Sequence, residues 1–186
     1  MTEFRTGNGA DWLDFLSTEL GRYRSVKTEM LADPAALHAW LAEHGMEPAG
    51  AVTAADVETA RKLREALHRL TAATLRGEQP ARADRRIVQQ ALAADQPLRL
   101  RLSGALGLQR PANASVALGH LARQAVADLT GPNLARLHAC GDDTCSAIYL
   151  DHTGRRRWCS DERCGVRLRV RAHRARQREA DGSSVG

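Results

Sequence analysis

Nowhere does the chain carry the roughly eighteen or more consecutive apolar residues of a membrane-spanning helix, which excludes such a helix as its anchor. Its opening residues, Met1-Thr-Glu-Phe-Arg-Thr-Gly-Asn8, lack the apolar core of a secretory signal, and a cytoplasmic protein is expected. Aromatic side chains are scarce, at 4% of the residues, so aliphatic side chains must fill the core. Catalytic signatures are missing too. The first 134 residues hold no glycine-rich phosphate loop, no metal-binding histidine pair and no nucleophile motif, and no enzyme activity is expected. Cysteine is absent from the first 139 positions.

The four cysteines that do occur fall at Cys140-x4-Cys145-x13-Cys159-x4-Cys164, two equal close pairs separated by a short loop. Two pairs let each end of the loop approach one metal as a clip, and four soft thiolates at about 2.3 Å are the ligand set of a structural zinc. The same residues admit other readings, as two disulfides or as small buried side chains. Disulfides need an oxidising compartment, for which the N-terminus gives no signal. Redox motifs favour a tight Cys-x-x-Cys beside a βαβ unit, which the sequence lacks. One structural Zn2+ per chain, held by Cys140, Cys145, Cys159 and Cys164, is therefore expected. His138, His152 and His173 are the candidate substitutes, but four thiolates already close the site and leave no position open for catalysis.

Net charge is +5, and its distribution tells more than its size. Arg136 to Arg178 holds eleven arginines against five acids, while the rest of the chain holds sixteen bases against seventeen acids. The whole positive excess thus belongs to the cysteine segment, which points to an anionic partner. Within that segment Ile148, Tyr149 and Leu150 read as a short strand. Asp151 to Gly154 supply turn chemistry, and Arg155, Arg156, Arg157 and Trp158 read as the returning strand, so that the cysteine pairs bracket a hairpin. Ser160 is the expected N-cap of a final helix with Cys164 in its first turn, where the positive end of the helix dipole favours a thiolate. Knuckle, hairpin and helix in that order are the plan of a treble-clef zinc finger. So small a segment has too little apolar surface to fold alone, and metal binding becomes part of its folding free energy.

Along this helix Arg163, Arg167, Arg171, Arg174 and Arg178 recur at steps of three or four and share one face, with Arg169 and Arg176 on its flank. Charge runs on helices usually mark a solvated face, but this one holds no acid between Arg163 and Arg178. Arginine matches phosphate oxygens and guanine edges bidentately, so double-stranded DNA is the expected partner. Arg167 or Arg171 is the expected base reader, with Arg174 and Arg178 on phosphates, Arg163 in the same stripe, and Arg155, Arg156 and Arg157 bracing the DNA backbone from the hairpin.

Three segments follow: a mainly helical domain over 1–134, a zinc finger over 135–180 and a disordered tail over 181–186. Asp33-Pro34 opens a helix through Leu37, Trp40 and Leu41 that stops at Gly45. Thr53 and Asp56 form a capping box, after which Val57, Ala60, Leu63, Leu67, Leu70 and Thr74 recur at helical spacing until Gly77. Asp84 begins a third helix through Ile87, Val88, Ala91 and Leu92. Leu98 to Leu102 alternate as a half-buried strand, Gly104 to Asn113 read as a turn, and a helix from about Ser115 ends at Thr130-Gly131-Pro132. Trp12, Trp40 and Leu41 are expected in the core, and Arg22, Arg24 and Lys27 on a solvated edge. The helical domain is expected to fold alone, and to sense a small ligand or self-associate.

Cys140-Gly-Asp-Asp-Thr-Cys145, Tyr149-Leu-Asp151, Arg155-Arg-Arg-Trp-Cys-Ser160 and Cys164-Gly-Val-Arg167, followed by Ala172-His-Arg-Ala-Arg176, resemble the CGNR zinc-finger family. Asp33-Pro-Ala-Ala-Leu-His-Ala-Trp-Leu41 and Ala60-Arg-Lys-Leu-Arg-Glu-Ala-Leu67 are similar to the ABATE domain that accompanies this finger. Together the two resemblances cover nearly the whole chain. They imply a bacterial, stress-linked transcription regulator with a zinc-binding, DNA-contacting end, in which Cys140, Cys145, Cys159, Cys164, Gly165 and Arg167 match the finger's motif. Val166 stands where Asn is usual, so no hydrogen bond of that Asn carries over. A DNA-binding regulator is the reading that results. The alternative is a zinc-stabilised module that docks an acidic protein surface without touching DNA.

Overall fold

A computed structural model describes residues 4–183. Helices α1 (Asp11–Leu16), α2 (Pro34–Glu43), α3 (Ala54–Leu75), α4 (Arg82–Ala94) and α5 (Ala114–Thr130) precede the cysteine segment, and α6 (Val166–Ser183) follows it. Three antiparallel pairs accompany them: β1 (Glu19–Leu20) with β2 (Thr28–Glu29), β3 (Leu100–Ser103) with β4 (Ala105–Leu108), and β5 (Leu137–Ala139) with β6 (Ile148–Leu150). The fold is mainly α with small hairpins, as the sequence predicts. Among the described residues no helix is long and apolar enough to cross a membrane.

Helix starts follow their capping chemistry. Asp33 accepts from the Ala36 amide at 2.8 Å, with Pro34 in the first turn, where its missing N–H costs nothing. On α3 the box is reciprocal: Asp56 Oδ2 accepts from the Thr53 amide at 2.8 Å, and Thr53 Oγ1 from the Asp56 amide at 3.3 Å. Asn113 caps α5 by accepting from the Val116 amide at 3.0 Å. Helix α4 starts at Arg82, before the predicted Asp84. That carboxylate is buried and receives Arg69 of α3 at 2.5 Å, so it ties two helices together rather than capping one.

Helices α1, α3, α4 and α5 pack on one another, with α2 laid against α3. Trp12, Phe15, Leu37, Trp40, Leu41 and Leu67 are fully enclosed, which places the two tryptophans and Leu41 in the core. The Trp12 indole N–H donates to Asp128 on α5 at 2.6 Å, satisfying the polar end of a buried ring. Arg22 departs from the predicted solvated edge. Its guanidinium donates to Glu65 at 2.8 Å and pairs with Glu19, while Arg24 and Lys27 stay exposed. Arg64, only 2% exposed, makes a two-pronged pair with the half-buried Glu29 at 2.7 and 2.6 Å, which pins the β1–β2 hairpin to α3.

Leu98 to Leu102 do not form the predicted half-buried strand: all five are exposed, the strand runs from Leu100 to Ser103, and its partner β4 lies inside the stretch predicted as turn. The turn itself is tight around Gly104, whose φ of +75° lies in the left-handed region where a Cβ is strained. Ala105-Leu-Gly-Leu108 is too short and glycine-broken to signal a strand. A further difference concerns modularity. Leu137, Ile148 and Leu150 are each 3% exposed and belong to the same hydrophobic core as α1, α3 and α5, so the third hairpin forms a wall of the helical domain. Helix α6 continues to Ser183, into the predicted tail, whose residues 184–186 lie outside the described residues.

Candidate metal centre

The β5–β6 ladder pairs Leu137 with Leu150, His138 with Tyr149 and Ala139 with Ile148. Strand β6 is therefore not paired with Arg155–Trp158, as predicted. The first cysteine pair sits in the loop of the hairpin instead of at its base. Cys140 prolongs the ladder, its amide donating to the Ala147 carbonyl at 2.9 Å. Asp142 then folds the loop: its Oδ1 accepts from the Thr144 amide at 3.0 Å and the Thr144 hydroxyl at 2.8 Å, and its carbonyl accepts from the Cys145 amide at 2.8 Å. This Asx turn brings Cys145 back beside Cys140.

Past β6 the same device recurs. Asp151 Oδ1 accepts from the amide and hydroxyl of Thr153, both at 2.8 Å, and Oδ2 accepts from the Arg156 amide at 2.9 Å. Burial pushes the Asp151 carboxyl up, but these donors prevail and hold it at about 2. The following segment lies along the hairpin without becoming a strand. The Gly141 amide donates to the Arg157 carbonyl at 3.2 Å, and the Tyr149 hydroxyl to the Arg156 carbonyl at 2.8 Å. Arg156 lies 4.7 Å over the Tyr149 ring and donates to the Cys159 carbonyl at 2.5 Å, which fixes the approach of the second cysteine pair.

Ser160 caps the last helical segment as predicted, accepting from the Arg163 amide at 3.3 Å. The turn Asp161–Gly165 is a π-helical widening, and Cys164 sits in it, its amide donating to the Ser160 carbonyl at 2.9 Å. A Cβ at Gly165 would meet the exposed Asp161 carboxylate, which would have to swing away from Arg169. Val166, the departure from the motif, is 43% exposed.

All four Sγ atoms lie within 4.8 Å of one another, with 3.8 Å between Cys145 and Cys159 and 3.6 Å between Cys159 and Cys164. A tetrahedron of thiolates at about 2.3 Å from zinc has edges of about 3.8 Å. The cluster therefore fits one structural Zn2+, and among the described residues it contains no histidine. Hydrogen bonds from Cys145 and Cys159 hold the Cys140 thiol far down, while burial and neighbouring thiolate charge push Cys164 up to about 12. Thiolates are the metal-binding form of cysteine, so zinc binding at this cluster releases protons.

Asp142 and Arg167 form the layer behind the sulfurs. Asp142 is fully enclosed. Arg167 donates through Nε to Asp142 Oδ2 at 2.6 Å and through Nη2 to Cys164 Sγ at 2.9 Å, placing one positive charge against a tetrathiolate that with zinc carries two negative ones. Arg171 donates to Asp143 at 3.1 Å and to Thr144 and Asp142, each at 3.3 Å. Both predicted base readers thus clamp α6 onto the first knuckle. Among the described residues the finger's ion pairs run through Arg167, Arg169 and Arg171, the second of these meeting Asp161 at 3.0 Å. Arg155, Arg157, Arg163, Arg174 and Arg178 are exposed and make no ion pair there, and every residue from Arg171 to Arg178 on α6 faces solvent. Sequence reasoning missed Asp142 and Asp151. Their signal was the repeated Asp-x-Thr at 142–144 and 151–153.

Helix α3 reaches the site as well. Burial and the nearby Arg22 charge lower the pKa of His68, and the neutral ring donates from Nε2 to the Ser146 carbonyl at 3.0 Å, next to Cys145.

Comparison with curated proteins returns no match. Two family models do match: residues 136–177 fit the CGNR zinc finger, and residues 9–132, the larger part of the chain, fit the model described as "ABATE: Putative stress-induced transcription regulator". The capped helices around the shared core and the four-sulfur cluster lie within these two spans, and the chain belongs to the ABATE family, with a CGNR zinc finger as its C-terminal part.

Proposed function

We propose that this protein is a transcription regulator that binds double-stranded DNA through its zinc finger, in the cytoplasm of a bacterium. One observation carries the reading: five exposed arginines, Arg155, Arg157, Arg163, Arg174 and Arg178, have no acid paired with them among the described residues, on a finger whose helix is solvated along its second half. Cations left without a partner on a rigid, metal-fixed scaffold suit phosphate oxygens. The description of the matched family as a transcription regulator supports the same reading. Arg167 and Arg171 serve as positioning residues here, holding α6 at a fixed angle to the knuckle, and phosphate contact falls to the free arginines. A zinc closed by four thiolates has no open position for substrate, so the proposed role is not enzymatic.

The test is duplex binding by the zinc-loaded chain across a salt series. Each of Arg163→Ala, Arg174→Ala and Arg178→Ala should lower the slope of log K against log salt by about one unit, for all sequences alike. Unchanged affinity in the triple variant, with zinc content preserved, would falsify the DNA reading. It would leave the finger as a module for an acidic protein surface.

A further inference from the structure

Five leucines stand bare on the β3–β4 hairpin: Leu98 is 53% exposed, Leu100 72%, Leu102 82%, Leu106 70% and Leu108 52%. They are not scattered. The register sets Leu100 opposite Leu108 and Leu102 opposite Leu106, so four of them form two cross-strand pairs on one face of the ribbon, and Leu98 continues the alternation. Arg99 and Arg101 occupy the opposite face, where Arg101 faces Gly107. No acid stands between Leu98 and Pro111.

The exposed leucine face amounts to on the order of 500–600 Å2 of contiguous apolar surface, at the upper end of what a monomer leaves in water. We infer that this face is a self-association surface, and that two copies of the chain pair leucine face to leucine face about a two-fold axis. Area is the first argument. Two such faces together remove about 1,100 Å2, and the flanking residues bring that to the roughly 1,200 Å2 at which stable interfaces begin. Charge is the second. Stacking the leucine faces leaves Arg99 and Arg101 of both copies pointing outward, so no like charges meet, and a face made of one residue type is complementary to its own rotated copy. An acidic partner would be drawn to the arginine face and leave the leucines bare. The inference is independent of DNA binding.

Sedimentation of the full zinc-loaded chain without DNA tests it. The expected result is a dimer with a Kd at or below about 10 µM. Leu102→Glu/Leu106→Glu should raise that Kd at least tenfold with zinc content and melting temperature unchanged, since both side chains already face water. Arg101→Glu, on the other face, should leave the dimer intact. The inference is overturned by a wild-type chain that stays monomeric at about 100 µM, whether or not lipid vesicles capture it. It is equally overturned if the double-leucine variant dimerises as tightly as wild type, or if Arg101→Glu abolishes the dimer.

Discussion

Asp142 holds the finger together at a single side chain. Its Oδ1 makes the turn that returns Cys145 to Cys140, its Oδ2 anchors Arg167, and Arg167 in turn touches the Cys164 sulfur. A fully enclosed carboxylate is tolerated only because every one of these donors is present. Asp142→Asn keeps the shape and the turn but removes the negative charge that orients Arg167. Zinc affinity, measured by competition with a chromogenic chelator, should fall about 10–100-fold, the usual cost of losing a partner behind a metal ligand. Asp143→Asn, whose side chain is 85% exposed, should leave zinc affinity unchanged, and equal losses in both variants would show that the effect is not specific to the enclosed carboxylate.

Among the elements, those that carry their own start signal were legible. Helices α2 and α3 have an Asp-Pro cap and a capping box written in consecutive residues, and both begin where those residues predict. Helix α1 was not legible: six residues are too few for a period, and Ala10 offers no side-chain cap. The four metal ligands were legible because spacing alone carries them. The partner of β6 was not, because Asp151-His-Thr-Gly154 is good hairpin chemistry that here serves an Asx turn, while the real pairing crosses the knuckle to Leu137–Ala139. Neither spacing nor charge could reveal which arginines are spent on Asp142. The β1–β2 hairpin supplies an element-scale prediction. Although burial pushes the Glu65 carboxyl up, Arg22 and Arg64 hold it at about 2, against 4.5 for the free group. A depressed carboxylate stabilises the fold above the unfolded pKa and loses that stability as pH falls through the folded one, so the window runs from about 4.5 down to about 2. Glu65→Gln should therefore cost roughly 2 kcal/mol at pH 7 and almost nothing near pH 2. The difference between wild-type and variant denaturation curves along that range checks it, and a gap that stays constant with pH would exclude the ion pair as its source.

At the scale of the whole molecule, the cysteine segment and the helices share one hydrophobic core. The finger was expected to be a small appendage and the helices to fold without it, yet Leu137, Ile148 and Leu150 fill the core that α1 and α3 also line. The Leu150 amide donates to the Asn8 carbonyl at 2.7 Å, and His68 holds the Ser146 carbonyl, so strand β6 is tied at both ends to elements outside the finger. Burying three such side chains contributes about 5–8 kcal/mol, comparable with the roughly 5–15 kcal/mol that holds a domain of this size together. Removing the metal frees both knuckles and leaves β5 and β6 without a fixed loop. Chelation should then lower the melting temperature of the helical part by about 10 °C or more, and amides around Leu63, Leu67 and Phe15 should lose protection from hydrogen exchange. Cys159→Ser should do the same in the presence of zinc, and a chain ending at Gly131, which lacks all three residues, should melt lower still. Two separate thermal transitions, the upper one unmoved by chelator, would mean that the helices stand alone and that the shared core contributes contact without cooperativity.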